Sequence, residues 1–153
     1  KWLRAEGCRW NKAVFSTIAE RGLLDIMKWL RAERCPWNHN ATKAAARGGH
    51  LEALQWLRAE GCPWDEGAVE AAAAAGHLHV LLFLKDEGCP WGPGACLAAA
   101  RGRHFEVLNW LLDEGCPWTF KIPYRTAYQG GRPQVMRWLE EEGHMRAQFD
   151  FED

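Results

Sequence analysis

The chain has 153 residues, of which 48% are hydrophobic, and its formal net charge is −1. This length and apolar content allow a sizeable continuous core. No apolar run long enough to span a bilayer and no secretory signal pattern occurs, so we expect no membrane insertion. Residues 1–64 hold 11 Lys and Arg against 6 Asp and Glu, but the whole chain lacks the basic excess of a nucleic-acid-binding protein, and nucleic acid is an unlikely partner.

A short corner motif, cysteine then proline or arginine then tryptophan, recurs every 27 residues without insertion. Its five copies begin at Cys8, Cys35, Cys62, Cys89 and Cys116. A period of about 20 to 50 residues is typical of repeat proteins. In such proteins each unit is too small to bury its own apolar face and stacks on its neighbours. We therefore predict one elongated row of stacked units.

The first helix of each unit, helix A, is predicted to start directly after the corner. The residue after each corner tryptophan is of a type that caps a helix N-terminus. These residues are Asn11, Asn38, Asp65, Gly92 and Thr119. Alanine-rich stretches follow, such as residues 71–75, and their small side chains let two helix backbones approach closely.

The second helix, helix B, carries a large aromatic residue followed by leucine, with a small or aliphatic residue three positions earlier. This spacing predicts a buried stripe that includes Trp56 and Leu57. Glycine closes most of these helices in a left-handed conformation before the corner proline. Arg34 stands in the glycine's place in one unit, so we expect a strained or different closure there.

The turn between helices A and B completes the pattern. The alanine pairs are followed by sequences such as Gly48-Gly49-His50 and Gly76-His77. Together they resemble the ankyrin repeat family, whose core pattern is Ala-Ala-x-x-Gly-His-x-x-Val. The resemblance implies an all-α, ankyrin-like α-solenoid of about five and a half helix-turn-helix units, in which the turn histidines satisfy loop backbone groups.

The chain also departs from the family pattern. The usual unit has about 33 residues, and the family's Thr-Pro-Leu-His signature is absent here. The missing residues fall where the family's β-hairpin finger would project, so we expect these fingers to be reduced or absent.

The repeat phase predicts one array over residues 1–143 and an acidic tail over 144–153. The array divides into a partial unit, four regular units and an atypical capping unit. Their ranges are 1–10, 11–37, 38–64, 65–91, 92–118 and 119–143. Because residue 1 falls inside a helix B, we expect the sequence to be a segment of a longer chain.

The sequence contains no catalytic, cofactor or metal motif that we recognise, so we predict no enzyme activity, no cofactor and no metal. Corner cysteines on stacked helices lie too far apart to bridge. Reduced thiols favour an intracellular, reducing compartment, with the cytoplasm the first choice. A row of histidines at stack spacing cannot converge on one ion. His79, outside the repeat phase, is predicted to be a solvated surface residue.

The outward positions of helix A change chemistry from unit to unit, whereas the alanines beside them persist. Ten of these positions are candidate partner-binding residues: Lys12, Ser16, His39, Lys43, Arg47, Glu66, Glu70, Leu97, Arg101 and Arg125. The hypothesis is a non-enzymatic adaptor or scaffold segment that binds a protein through a concave helix A face. Neutral drift on a solvated face remains an alternative explanation. So do a permanent peripheral subunit of a large intracellular assembly and, more distantly, nucleic-acid binding through the basic N-terminal half.

Overall fold

The computed structural model describes residues 11–116, and this part of the chain is all-helical, without a strand. The predicted partial unit, capping unit and acidic tail, together with Cys8 and Arg125, lie outside it. Within these residues, eight helices form four consecutive A–B pairs. The A helices are α1 (Lys12–Glu20), α3 (His39–Gly48), α5 (Glu66–Ala75) and α7 (Pro93–Gly102). The B helices are α2 (Leu24–Ala32), α4 (Leu51–Ala59), α6 (Leu78–Asp86) and α8 (Phe105–Asp113).

Each A helix begins where its capping residue predicts. The Asn11 side-chain oxygen accepts a hydrogen bond from the Val14 backbone N–H at 2.9 Å. The Asp65 carboxylate accepts one from the Gly67 N–H at 3.0 Å in the same way. These bonds satisfy amide groups that have no partner inside the helix. Helix α7 starts with Pro93, whose missing N–H costs nothing in the first turn.

Left-handed residues close the B helices. The φ angle of Gly61 is 74°, and the Cys62 N–H donates back to the Leu57 carbonyl at 2.9 Å. Arg34 takes the same left-handed conformation, with φ of 60°. A residue with a Cβ pays roughly 1 to 2 kcal/mol there, so the expected strain at Arg34 is confirmed. Arg103, which closes α7 at φ of 63°, is a second such residue that the sequence did not reveal.

The A helices form the centre of the packing. Helix α1 packs on α3, α3 on α5 and α5 on α7, and each B helix packs on the A helix of its own pair. Successive B helices contact each other much less. Alanines make the close approach between A helices possible: Ala45, Ala72 and Ala99 are completely buried. The helix pairs therefore pack in series along one core.

The predicted stripe on helix B is correct only in part. The leucines are buried, and Leu57 has no exposed surface. Trp56 is only half-buried, so the prediction that it is buried is wrong in degree. It lies at the rim of the core, where its ring meets Trp37 of the preceding unit edge to face at 5.8 Å. The aliphatic position three residues before the aromatic one, which the pattern also places on the stripe, is Ile26 in α2, and it is 41% exposed.

The corner cysteines close each unit on itself. The Cys62 thiol donates to the carbonyl of Asn38, the residue that caps helix A of the same unit, at 3.5 Å. Cys89 makes the same bond to Asp65 at 3.5 Å. Burial raises the pKa of both thiols to about 12, so they keep the proton that this bond needs. All five cysteines of the described residues are free and buried.

Candidate partner-binding face

The outward side of α1, α3, α5 and α7, here called the A face, carries nine of the ten candidate residues. None of the nine is buried. The exposed ones are Lys12, His39, Arg47, Glu66 and Arg101, and the half-buried ones are Ser16, Lys43, Glu70 and Leu97. Arg125 lies outside the described residues. Alanines one or two positions away on the same helices, such as Ala45, Ala72 and Ala99, face the core, which separates packing positions from available ones.

A groove between α1 and α3 brings four of the candidates together. It has a volume of about 650 Å³, and Lys12, Ser16, Lys43 and Arg47 all contribute to its lining. Its other polar lining residues were not among the candidates: Thr17, Glu20, Asn38 and Asn40. Thr17, Asn38 and Asn40 lie one position off the repeat columns, whereas Glu20 shares the outward column of α1 with Lys12 and Ser16. Asn38 was identified only as a helix cap, although it also lies at the edge of the groove. A helical wheel drawn for two adjacent A helices together would have placed Thr17 and Asn40 there.

The groove has an excess of positive charge. Among residues 11–116, Glu20 is the only carboxylate that lines it, and this side chain lies 3.9 Å from the Arg47 guanidinium. Lys12 and Lys43 make no ion pair within residues 11–116. The Ser16 hydroxyl donates to the Lys12 carbonyl at 3.0 Å, so its oxygen is left as an acceptor. Two ammonium groups are therefore available to an anionic group.

The next A helix has the opposite charge. Helix α5 presents Glu66 and Glu70 on the A face. The Glu70 side chain crosses the backbone of Gly94 on α7, where a Cβ would overlap its carboxylate. Lys43 reaches over Gly67 of α5 in ordinary van der Waals contact, at 3.4 Å from its Cδ to the place of the missing Cβ. At Gly94, by contrast, the absence of a Cβ makes room for a long charged side chain of the preceding A helix.

At the opposite edge of the A helices, each turn histidine packs on the preceding unit. The rings of His50 and His104 lie where a Cβ on Gly22 and Gly76 would be. The His77 Nε2 hydrogen-bonds the Arg47 carbonyl at 3.0 Å. Desolvation by burial, followed by neighbouring histidines, lowers the pKa of His77 despite that bond.

His79 is exposed, as the sequence predicts, and it also contacts the preceding unit. Its Nε2 hydrogen-bonds the Gly49 carbonyl of the preceding unit at 2.9 Å, and its ring meets that of His77 at 5.7 Å. The turn histidines thus join successive units. In the described part of the chain, no three His, Cys, Asp or Glu side chains come together as a metal site.

Neither a protein-family model nor a curated protein sequence matches this chain. Among residues 11–116 no helix is both long and apolar enough to cross a membrane.

Proposed function

We propose that this chain is a non-enzymatic protein-interaction module, an adaptor or scaffold segment built as an ankyrin-like solenoid, and that it holds its protein partner on the A face. One observation carries the proposal: the A face changes from basic at α1 and α3 to acidic at α5. The residues behind it remain small, apolar and buried, as Ala45 and Ala72 show. Outward side chains that vary in charge while the buried residues behind them stay alike can recognise a partner without disturbing the packing.

The spacing of the helices supports an inner, concave position for this face. Successive A helices pack closely, whereas successive B helices contact each other much less. A row of pairs that is tighter on one side curves toward that side. A concave face would surround more of a partner's surface than a flat one.

The state of the cysteines supports a reducing, intracellular location. Cys35, Cys62 and Cys89 are almost completely buried, and burial raises the pKa of each thiol. Protonated thiols that donate to backbone carbonyls need a compartment in which they stay reduced.

Charge reversal on the A face tests the proposal. The triple variant Lys43→Glu, Arg47→Glu and Glu70→Lys should weaken capture of the native partner by about ten-fold or more. Its unfolding free energy should change by no more than about 0.5 kcal/mol per site, because these side chains lie outside the core. Affinity is measured by titration against the purified partner, and stability by denaturant melts.

The matched control reverses Lys28, Glu52 and Glu60, which are exposed on the B helices and the turn after them. Arg58 is unsuitable as a control because its guanidinium stacks 4.2 Å from the Trp64 ring centre. Loss of capture only in the control set would move the interface to the B side. Loss of capture after nuclease treatment would favour the nucleic-acid alternative. A partner that stays bound at high salt to both the A-face variant and the control variant would favour the permanent subunit.

A further inference from the structure

We infer that the A face reads an order of side-chain chemistry along an extended segment of its protein partner: an acidic residue, then a basic residue about three positions on, then an apolar residue about three positions further. This inference rests on the proposed function and specifies its partner. It follows from one row of equivalent residues on the A face.

The row consists of residues at the same place in successive A helices. Ser16, Lys43, Glu70 and Leu97 are each 27 residues apart and lie on α1, α3, α5 and α7. All four are half-buried, so each presents part of its side chain to solvent. A partner that follows the row therefore meets a hydroxyl, an ammonium, a carboxylate and an apolar group in turn.

The charged members of the row both reach over the following helix. Glu70 extends over Gly94 on α7, where an added Cβ would overlap its carboxylate. Lys43 lies over Gly67 on α5 in ordinary van der Waals contact, with its Nζ 3.6 Å from the place of the missing Cβ. Neither side chain forms an ion pair with another described residue, so both charges are available to the partner.

The spacing of the row sets the spacing in the partner. Packed helices lie about 8 to 10 Å apart, and an extended chain advances about 3.3 Å per residue. About three partner residues therefore separate one contact from the next. Lys12 in the same groove adds to the preference for acid at the first contact.

A polyanion fits the row less well than such a peptide. The basic groove covers only α1 and α3, and Glu20 lies within it. A phosphate backbone that continued along the row would meet Glu66 and Glu70 on α5, where like charges repel. A peptide can change its charge at that point, whereas a nucleic acid cannot.

Peptide binding by fluorescence polarisation tests the inference. The probe is a labelled, serine-spaced peptide with glutamate, lysine and leucine three positions apart, synthesised in both chain directions. Its control has the glutamate and lysine exchanged. The native chain should bind the probe in one direction about ten-fold or more tighter than either control at low salt, because two charge pairs of up to about 1 kcal/mol each are lost and replaced by repulsion.

The double variant Lys43→Glu with Glu70→Lys is the reciprocal experiment. It should prefer the exchanged peptide by a similar factor, and unchanged thermal melting should show that the fold is intact. Lys28→Glu, on the outer side of α2, should leave both affinities unchanged. The reversed preference cannot arise from a general loss of stability.

Other outcomes overturn the inference. They are equal affinity for both orders, no binding of either peptide, no exchange of preference in the double variant, and tighter binding of an oligothymidine than of the probe. The proposed function fails separately, when the A-face reversals leave capture of the native partner intact. If the native partner is captured through the A face but neither peptide order is preferred, only the inference is refuted and the proposed function stands.

Discussion

Replacing Leu57 with alanine should lower the free energy of unfolding by about 3 kcal/mol, within the usual 2 to 5 kcal/mol for such truncations. Leu57 lies on α4 in the middle of the described stack and has no exposed surface. Removing its branched end leaves a cavity in the close-packed core, which relaxes only in part. Urea unfolding followed by circular dichroism measures the loss.

Trp56, the neighbour of Leu57, provides the comparison. Trp56→Ala removes a larger side chain, but that side chain is half-buried and packs on the rim against Trp37. An edge-to-face aromatic pair adds about 0.5 to 1.5 kcal/mol beyond the buried area. We therefore expect a loss of about 2 kcal/mol, smaller than that of Leu57→Ala. A larger loss for the tryptophan would show that the buried stripe of the B helices has a different phase.

Replacing Gly76 with alanine should be more damaging than the same change at a left-handed glycine with open space around it. Gly76 has φ of 78°, and an added Cβ would overlap the imidazole of His104 in the next unit. Strain of about 1 kcal/mol from the left-handed backbone is thus joined by displacement of a ring that packs between two units. We expect a total loss of about 3 kcal/mol in thermal or urea melts.

Gly61 is the matched control, since its φ is 74° and no atom lies within 4 Å of its missing Cβ. Gly61→Ala should show the backbone strain alone, about 1 kcal/mol. Shortening the histidine should remove the overlap. The double variant Gly76→Ala with His104→Ala should therefore be less stable than His104→Ala alone by only the backbone strain, about 1 kcal/mol. Equal losses of unfolding free energy for Gly61→Ala and Gly76→Ala would show that His104 does not pack on Gly76.

The regular elements of the described units could be predicted from the sequence because each is specified locally. Capping residues such as Asn38 and Asp65 mark the helix starts, and the alanine pairs mark the face that packs. The 27-residue period then places these features in register from unit to unit. Local chemistry and repetition together were sufficient for the all-helical fold.

Relations between units could not be predicted in the same way. Arg103 takes a left-handed conformation at the place that Gly49 and Gly76 occupy in earlier units. A histidine follows those glycines by 28 residues, but the residue 28 positions after Arg103 is Gly131. The glycine is therefore needed where a histidine packs on it, which becomes clear only when adjacent turns are seen together.

The outward columns of the A helices followed from helical spacing, but their grouping did not. Periodicity places Lys43 and Glu70 on the same side of their helices. It does not show that Lys43 shares a groove with Lys12 or that Glu70 crosses Gly94, because those contacts depend on the offset between packed helices. That these residues bind a partner stays a prediction.

Site-specific photocrosslinking is the most direct test of the A face as the binding surface. A photoreactive phenylalanine analogue is placed at Ser16 or Leu97 on the A face, and at Lys28 or Glu106 on the B helices as exposed controls. With the native partner present, the A-face positions should form a covalent product with one protein and the controls should not. Crosslinks to a protein only from Lys28 and Glu106 would contradict the proposed function.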